Sequence, residues 1–93
     1  MDRQKREKQL KAFGKAYASA RRHKGWTHME TGRRIGVSDA ASRMYEHGRR
    51  TPSAFVFLAM LDVFEPQDAV AIAEAFRMTP ERLAEILREA GRL

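Results

Sequence analysis

Apolar residues recur along this chain at three- and four-residue intervals. Nowhere do they alternate with polar residues over a run long enough to make a strand, and there is no Asn-Gly or Asp-Gly hairpin turn. That periodicity predicts an all-α chain of six helices. The first spans Lys5 to His23, with Leu10, Phe13, Tyr17 and Ala20 on one stripe, and Gly25 ends it. Its opening turns are so charged that residues 1–8 are expected to fray into a flexible basic arm. Thr27-His28-Met29-Glu30 has the form of a capping box, so a second helix starts at His28 and stops at Gly36. Ser38 is a good N-cap for a third, from Asp39 to His47, which Gly48 terminates. Arg49 to Pro52 is a basic connector, because a residue before proline avoids the helical region.

Ser53 caps a fourth helix, Ala54 to Phe64, of unusual pattern. Ala54, Phe57, Leu61 and Phe64 form one apolar face, and Phe55, Val56, Ala59 and Val63 form a second. A helix apolar all round must be covered on nearly every side. Pro66 opens a fifth helix with Ala69, Ile72, Ala73 and Phe76 in line. Thr79-Pro80-Glu81 opens a sixth with Leu83, Ile86, Leu87 and Ala90 aligned. One short chain has little to cover both the second face of helix four and the stripe of helix six. Phe55, Val56, Ala59, Val63, Leu83, Ile86 and Leu87 are therefore expected to meet a second copy.

Charge changes the picture. The formal net charge is +6, but it is segregated. Residues 1–50 hold 14 Lys/Arg against five Asp/Glu, and residues 51–93 hold four against seven. A polyanionic partner for the first half is the simplest functional reading, with a solvated, solubilising surface as the alternative; segregation favours the partner, because solubility does not require it. There is no cysteine, which removes disulfide and thiolate-metal chemistry. The charged first ten residues do not form a secretion signal. The longest apolar run, Ala54 to Leu61, is far short of the roughly 20 residues that cross a bilayer. A cytoplasmic, nucleoid-associated protein is the expectation.

The informative stretch is Gly25 to Ser53, two short helices joined by a glycine-containing turn. That is the helix-turn-helix arrangement, whose second helix enters the major groove of DNA. Gly36 supplies the turn, Val37 plugs the gap between the helices, and Gly32 is small enough for close approach. Ala41, Ser42 and Tyr45 lie on the packed side of the third helix, which turns Asp39, Ala40, Arg43 and Met44 outward toward base edges. Arg43 is the strongest of these, because a guanidinium bonds guanine O6 and N7 together. Asp39 at the helix start has two available reasons: it accepts from cytosine N4, or it favours the helix dipole and excludes unwanted sequences. Thr27, His28, Ser38, His47, Arg49 and Arg50 are the candidate phosphate contacts. His23, His28 and His47 have no metal-ligand spacing, so no metal is expected. No nucleophile–base pair, phosphate loop or carboxylate pair points to an enzyme, and nothing implies a cofactor.

Gly25-Trp26-Thr27, Glu30, Ile35-Gly36-Val37-Ser38, Glu46-His47-Gly48 and Arg50-x-Pro52-Ser53, with Phe13, Tyr17 and Arg21 upstream, resemble the lambda-repressor-like and Cro family of regulators, also called XRE-type. The resemblance covers about residues 13–64. It implies a five-helix DNA-binding core with a C-terminal helical extension, dimers on inverted-repeat operators, and an Arg21–Glu46 ion pair between the first and third helices. Residues 1–10 are then a basic arm and helix start, 11–65 the DNA-binding domain, and 66–93 helices for dimerisation. The chain departs from the family at His28, where glutamine is usual. It departs again at Thr31 and Ser42, inward positions that usually carry aliphatic and β-branched side chains. A transcriptional repressor acting as a homodimer on double-stranded DNA is the leading expectation. A DNA-binding antitoxin, offering helices four to six to a toxin, is the nearest rival. A protein-interaction adaptor leaves the positive first half unexplained.

Overall fold

The computed structural model describes residues 2–89 and 91, apart from the side chains of Pro80, Leu83 and Leu87. Six helices follow in order: α1 Arg3–Lys24, α2 His28–Ile35, α3 Asp39–Glu46, α4 Ala54–Val63, α5 Pro66–Ala75 and α6 Pro80–Glu89. Every expected helix is present, with ends shifted by at most two residues.

The largest shift is at the start of α1. Asp2 accepts a hydrogen bond from the Lys5 amide at 2.9 Å, which satisfies one of the free donors of the first turn. Residues 3–8 are helical as a result, where their charge had suggested a flexible arm.

The core is aromatic and lies where α1 crosses the rest. Phe13, Tyr17 and Ala20 of α1 meet Ile35 of α2, Tyr45 of α3, Phe57, Met60 and Phe64 around α4, and Ile72 of α5. The rings of Phe13, Tyr17 and Tyr45 stand 5.7–5.9 Å apart at tilted to edge-on angles, the arrangement their quadrupoles favour. α1 packs mainly along α5 and α3, α2 pairs with α3, and α4 lies between α2 and α5 with α6 against it. At the far end of α1, His23 Nδ1 meets the buried Asp68 carboxylate at 2.9 Å, and Lys24 Nζ donates to Glu65 at 2.7 Å. These contacts tie the end of α1 to the start of α5.

The apolar surplus expected for a partner is smaller than the pattern suggested. Ile86 is only 7% exposed within the single chain, because α6 turns it toward α4. It is therefore a core residue rather than a free dimer contact. Val56, Ala59 and Val63 are half-buried against the core, and Phe55 alone of that face stands out, at 69% exposed. The side chains of Leu83 and Leu87 lie outside the described residues.

Gly14, in the middle of α1, marks a close approach of α1 to the end of α3. A Cβ there would sit 2.5 Å from the Glu46 carbonyl oxygen and 3.1 Å from that of Tyr45, both backbone atoms. Gly14→Ala should thus destabilise the protein by about 1–3 kcal/mol, despite alanine's better helix propensity. Urea unfolding measures this. A variant as stable as the parent would mean that α1 and α3 do not meet at this distance.

Candidate nucleic-acid interface

The α2–α3 unit is built from local sequence signals. Thr27 Oγ1 accepts from the Glu30 amide at 3.1 Å, and Thr31 Oγ1 donates to the Thr27 carbonyl at 2.8 Å. Glu30 does not complete the capping box by reaching back. It turns outward and pairs with Arg33 and Arg34 instead. Gly36 takes the left-handed conformation at φ 82°, and its amide and that of Val37 both bond the Gly32 carbonyl at 2.8 Å. A Cβ on Gly32 would lie 2.5 Å from the Val37 carbonyl oxygen, so only glycine allows the turn to fold this tightly. Ser38 then caps α3 by accepting from the Ala41 amide at 3.1 Å.

Beneath this unit runs a chain of polar contacts. The Tyr17 hydroxyl and Ser42 Oγ are 2.6 Å apart, and Ser42 Oγ lies 2.8 Å from His28 Nδ1. His28 Nε2 faces Glu46 Oε2 at 3.5 Å. Glu46 receives the Arg21 fork, Nε at 3.0 Å and Nη2 at 3.3 Å, while Arg21 Nη1 donates to the Trp26 carbonyl at 2.9 Å. One set of proton positions uses every group. His28 donates from Nε2 toward Glu46, its bare Nδ1 accepts from Ser42, and Ser42 accepts from Tyr17. The chain joins α1, α2, α3 and the loop before α2. Among the described residues, no buried side-chain nitrogen or oxygen lacks a partner.

This corrects the expectation for His28. Its ring is turned inward with both nitrogens engaged, so it is not disposed to hold a phosphate. The inward Thr31 and Ser42 are fully buried but hydrogen-bonded, which removes the cost of placing hydroxyls in a core.

The titrations follow from these contacts. Burial pushes the Tyr17 hydroxyl up to about 12, partly offset by its bond to Ser42. Burial, with the Arg21 charge, lowers His28 below 6.5. For Glu46, burial acts to raise the carboxyl, but the Arg21 hydrogen bond and charge outweigh it and hold the group low.

The outer face of α3 is free of core contacts. Ala41, Ser42 and Tyr45 are buried, while Ala40, Arg43 and Met44 are exposed and Asp39 is half-exposed. Asp39 Oδ2 receives Arg43 Nη1 at 2.9 Å, and Oδ1 receives the Ala40 amide at 3.0 Å. Thr27 and Ser38 are exposed at the starts of α2 and α3, with their oxygens engaged in capping. His47, Arg49 and Arg50 are exposed where α3 ends and the connector to α4 begins. Met29, at the start of α2, is an apolar side chain 70% exposed, outside the expected set of site residues. The sequence places Tyr17 on the core stripe alone. The signal for its hydroxyl was the serine at an inward position of α3.

A family model described as a helix-turn-helix domain matches residues 12–86. The chain belongs to that family, in keeping with its lambda-repressor-like marks, and the domain points to a DNA-binding regulator. No curated protein and no solved structure matches it. No helix among the described residues is long and apolar enough to cross a membrane.

Two outcomes are expected from the polar chain. The Arg21 and Glu46 side chains are each 18% exposed, so their pair lies nearer the buried than the surface limit. Glu46→Ala should lower stability by about 3 kcal/mol, against at most about 1 for a surface pair. Chemical denaturation separates the two.

The second concerns pH. The fold favours neutral His28, so as pH falls the unfolded chain takes the proton first, near 6.5. The His28 contribution is complete above that pH and is lost progressively below it, through the lowered folded value. His28→Gln should flatten part of the decline in urea midpoint between about pH 7.5 and 5. Parallel declines in the two proteins would show that the fold does not resist protonating this ring.

Proposed function

We propose that this protein is a sequence-specific transcriptional repressor that binds an inverted-repeat operator as a homodimer, with α3 in the major groove. The observation that carries the reading is the division of α3 into two faces. Its inner face is locked by Tyr45 and the Ser42 hydrogen bonds, and its outer face offers Ala40, Arg43 and Met44, with Asp39 beside them. A rigid helix with an unburied face of charged and apolar side chains is what base readout needs. The flanks suit the backbone: Arg49 and Arg50 are exposed on the connector, His47 ends α3, and the caps at Thr27 and Ser38 bring helix amides forward. The helical basic segment of α1 adds further positive charge. Arg43 bonds guanine, and Met44 and Ala40 meet thymine methyls.

The dimer contact is centred on Phe55, the exposed remnant of the second α4 face, with Val56, Ala59 and Val63 at its edge. Two copies so joined place their α3 helices on half-sites about 34–36 Å apart, one DNA turn.

Selection of bound sites from random duplex DNA tests the reading. The expected result is a two-fold symmetric sequence with half-sites centred about 10 base pairs apart. A single unrepeated half-site would contradict the dimer, and recovery of no consensus would contradict sequence-specific binding. On the selected site, Arg50→Ala should weaken binding to all sequences alike and reduce the salt slope by about one. If that variant altered base preference instead, Arg50 would belong in a groove rather than on a phosphate.

A further inference from the structure

We infer that Asp39 is a positioning residue for base recognition: its carboxylate holds the Arg43 guanidinium in the groove-reading orientation and away from the phosphates. The inference rests on the reading of α3 as the recognition helix and deepens it. Both carboxylate oxygens are engaged. Oδ1 accepts from the Ala40 amide at 3.0 Å, which fixes the carboxylate to the first turn of α3, and Oδ2 then takes Arg43 Nη1 at 2.9 Å. The pair spans one turn on the outer face, with the side chains 56% and 41% exposed for Arg43 and Asp39.

Fold stability does not account for this pair. An exposed pair one turn apart adds little to a helix. The helix dipole is satisfied by any acidic residue at this position and does not require Arg43. Direct reading of cytosine is disfavoured by the same geometry, because the carboxylate is already directed at the arginine.

Readout does account for it. Arg43 has five N–H donors, and the contact with Asp39 uses one of them. The Nη2 and Nε edge keeps two parallel donors, the set that matches guanine O6 and N7. An unrestrained arginine at this site could reach phosphates on either side, which would add affinity without discrimination. Asp39 opposes that twice. It restricts the side chain, and it places a negative charge near the DNA backbone, which weakens binding to every sequence. The arrangement therefore sacrifices general affinity for selectivity, and the two effects of removing Asp39 have opposite signs.

The test uses the full chain and the duplex recovered by selection, with every base pair substituted at the position Arg43 contacts. Affinities of Asp39→Ala, Asp39→Asn, Arg43→Ala and the double variant Asp39→Ala/Arg43→Ala are measured at one salt concentration, with thermal unfolding checked for each. Arg43→Ala should lose the guanine preference. Asp39→Ala should lose about tenfold of it at the same base pair, while binding an unrelated duplex more tightly. Asp39→Asn, which keeps an acceptor but not the charge, should fall between. The double variant should discriminate no worse than Arg43→Ala.

Full guanine preference in Asp39→Ala, with loss in Arg43→Ala, overturns the positioning role alone. A preference lost at a different base pair, additively with Arg43→Ala, overturns it in favour of direct readout by Asp39. Unchanged preferences in Arg43→Ala overturn the reading of α3 as well as the role built on it.

Discussion

The hydrogen-bonded chain from Tyr17 through Ser42 and His28 to Glu46 and Arg21 fixes the position of α3, and the surface proposed to face DNA depends on that position. α3 is only eight residues long and could not hold its shape as an isolated helix. Its inner side offers Ala41, Ser42 and Tyr45, a modest apolar area for an element that must keep its orientation. The polar chain supplies direction. Hydrogen bonds define an angle and a register as well as a distance, so Ser42 is tied at once to α1 through Tyr17 and to α2 through His28. Four residues along, Glu46 is held by the Arg21 fork. Between those two points α3 has little freedom to roll.

The close backbone contacts work to the same end. Gly14 lets α1 touch the last turn of α3, and Gly32 lets the turn fold back on α2. Replacing either with a larger residue would move α3 and its outer face with it. The aromatic cluster of Phe13, Tyr17 and Tyr45 fills the space these approaches leave, and α4 and α5 close it from below. Under the proposed reading of α3, stability and readout are therefore not separate properties. The residues that hold α3 in place also set where its outer face, with the Asp39–Arg43 pair, is presented.

Much of this was legible in the sequence because it is local. The stripes at helical spacing, the caps at Thr27, Ser38 and Ser53 and the stops at Gly25 and Gly36 each depend on residues a few positions apart. The Asp2 cap is equally local, but the density of charge around it masked it. What was not legible depends on contacts between distant segments. Gly14 looks like a mid-helix weakness until the Glu46 carbonyl is beside it. Thr31 and Ser42 taken singly look like two losses of packing, and His28 like a phosphate contact. His28 and Ser42 become one compensated set only when Tyr17 is brought alongside, and Thr31 is satisfied within its own turn. Ile86 lies on an amphipathic stripe, and a stripe does not say whether its cover comes from the same chain or from another. The outward set of α3 follows from helical geometry alone, whereas the bond between Asp39 and Arg43 depends on rotamers that the spacing does not specify.

The Tyr17–Ser42 hydrogen bond couples α1 to α3, the helix proposed to read the bases. A double-mutant cycle of Tyr17→Phe and Ser42→Ala, read by urea unfolding and by affinity for the selected duplex, tests it most directly. The expected result is that each single change weakens both stability and binding, with a coupling of about 1–2 kcal/mol in stability as the second change costs less once the first is made. Additive effects in stability, with operator affinity untouched by either change, would contradict the account.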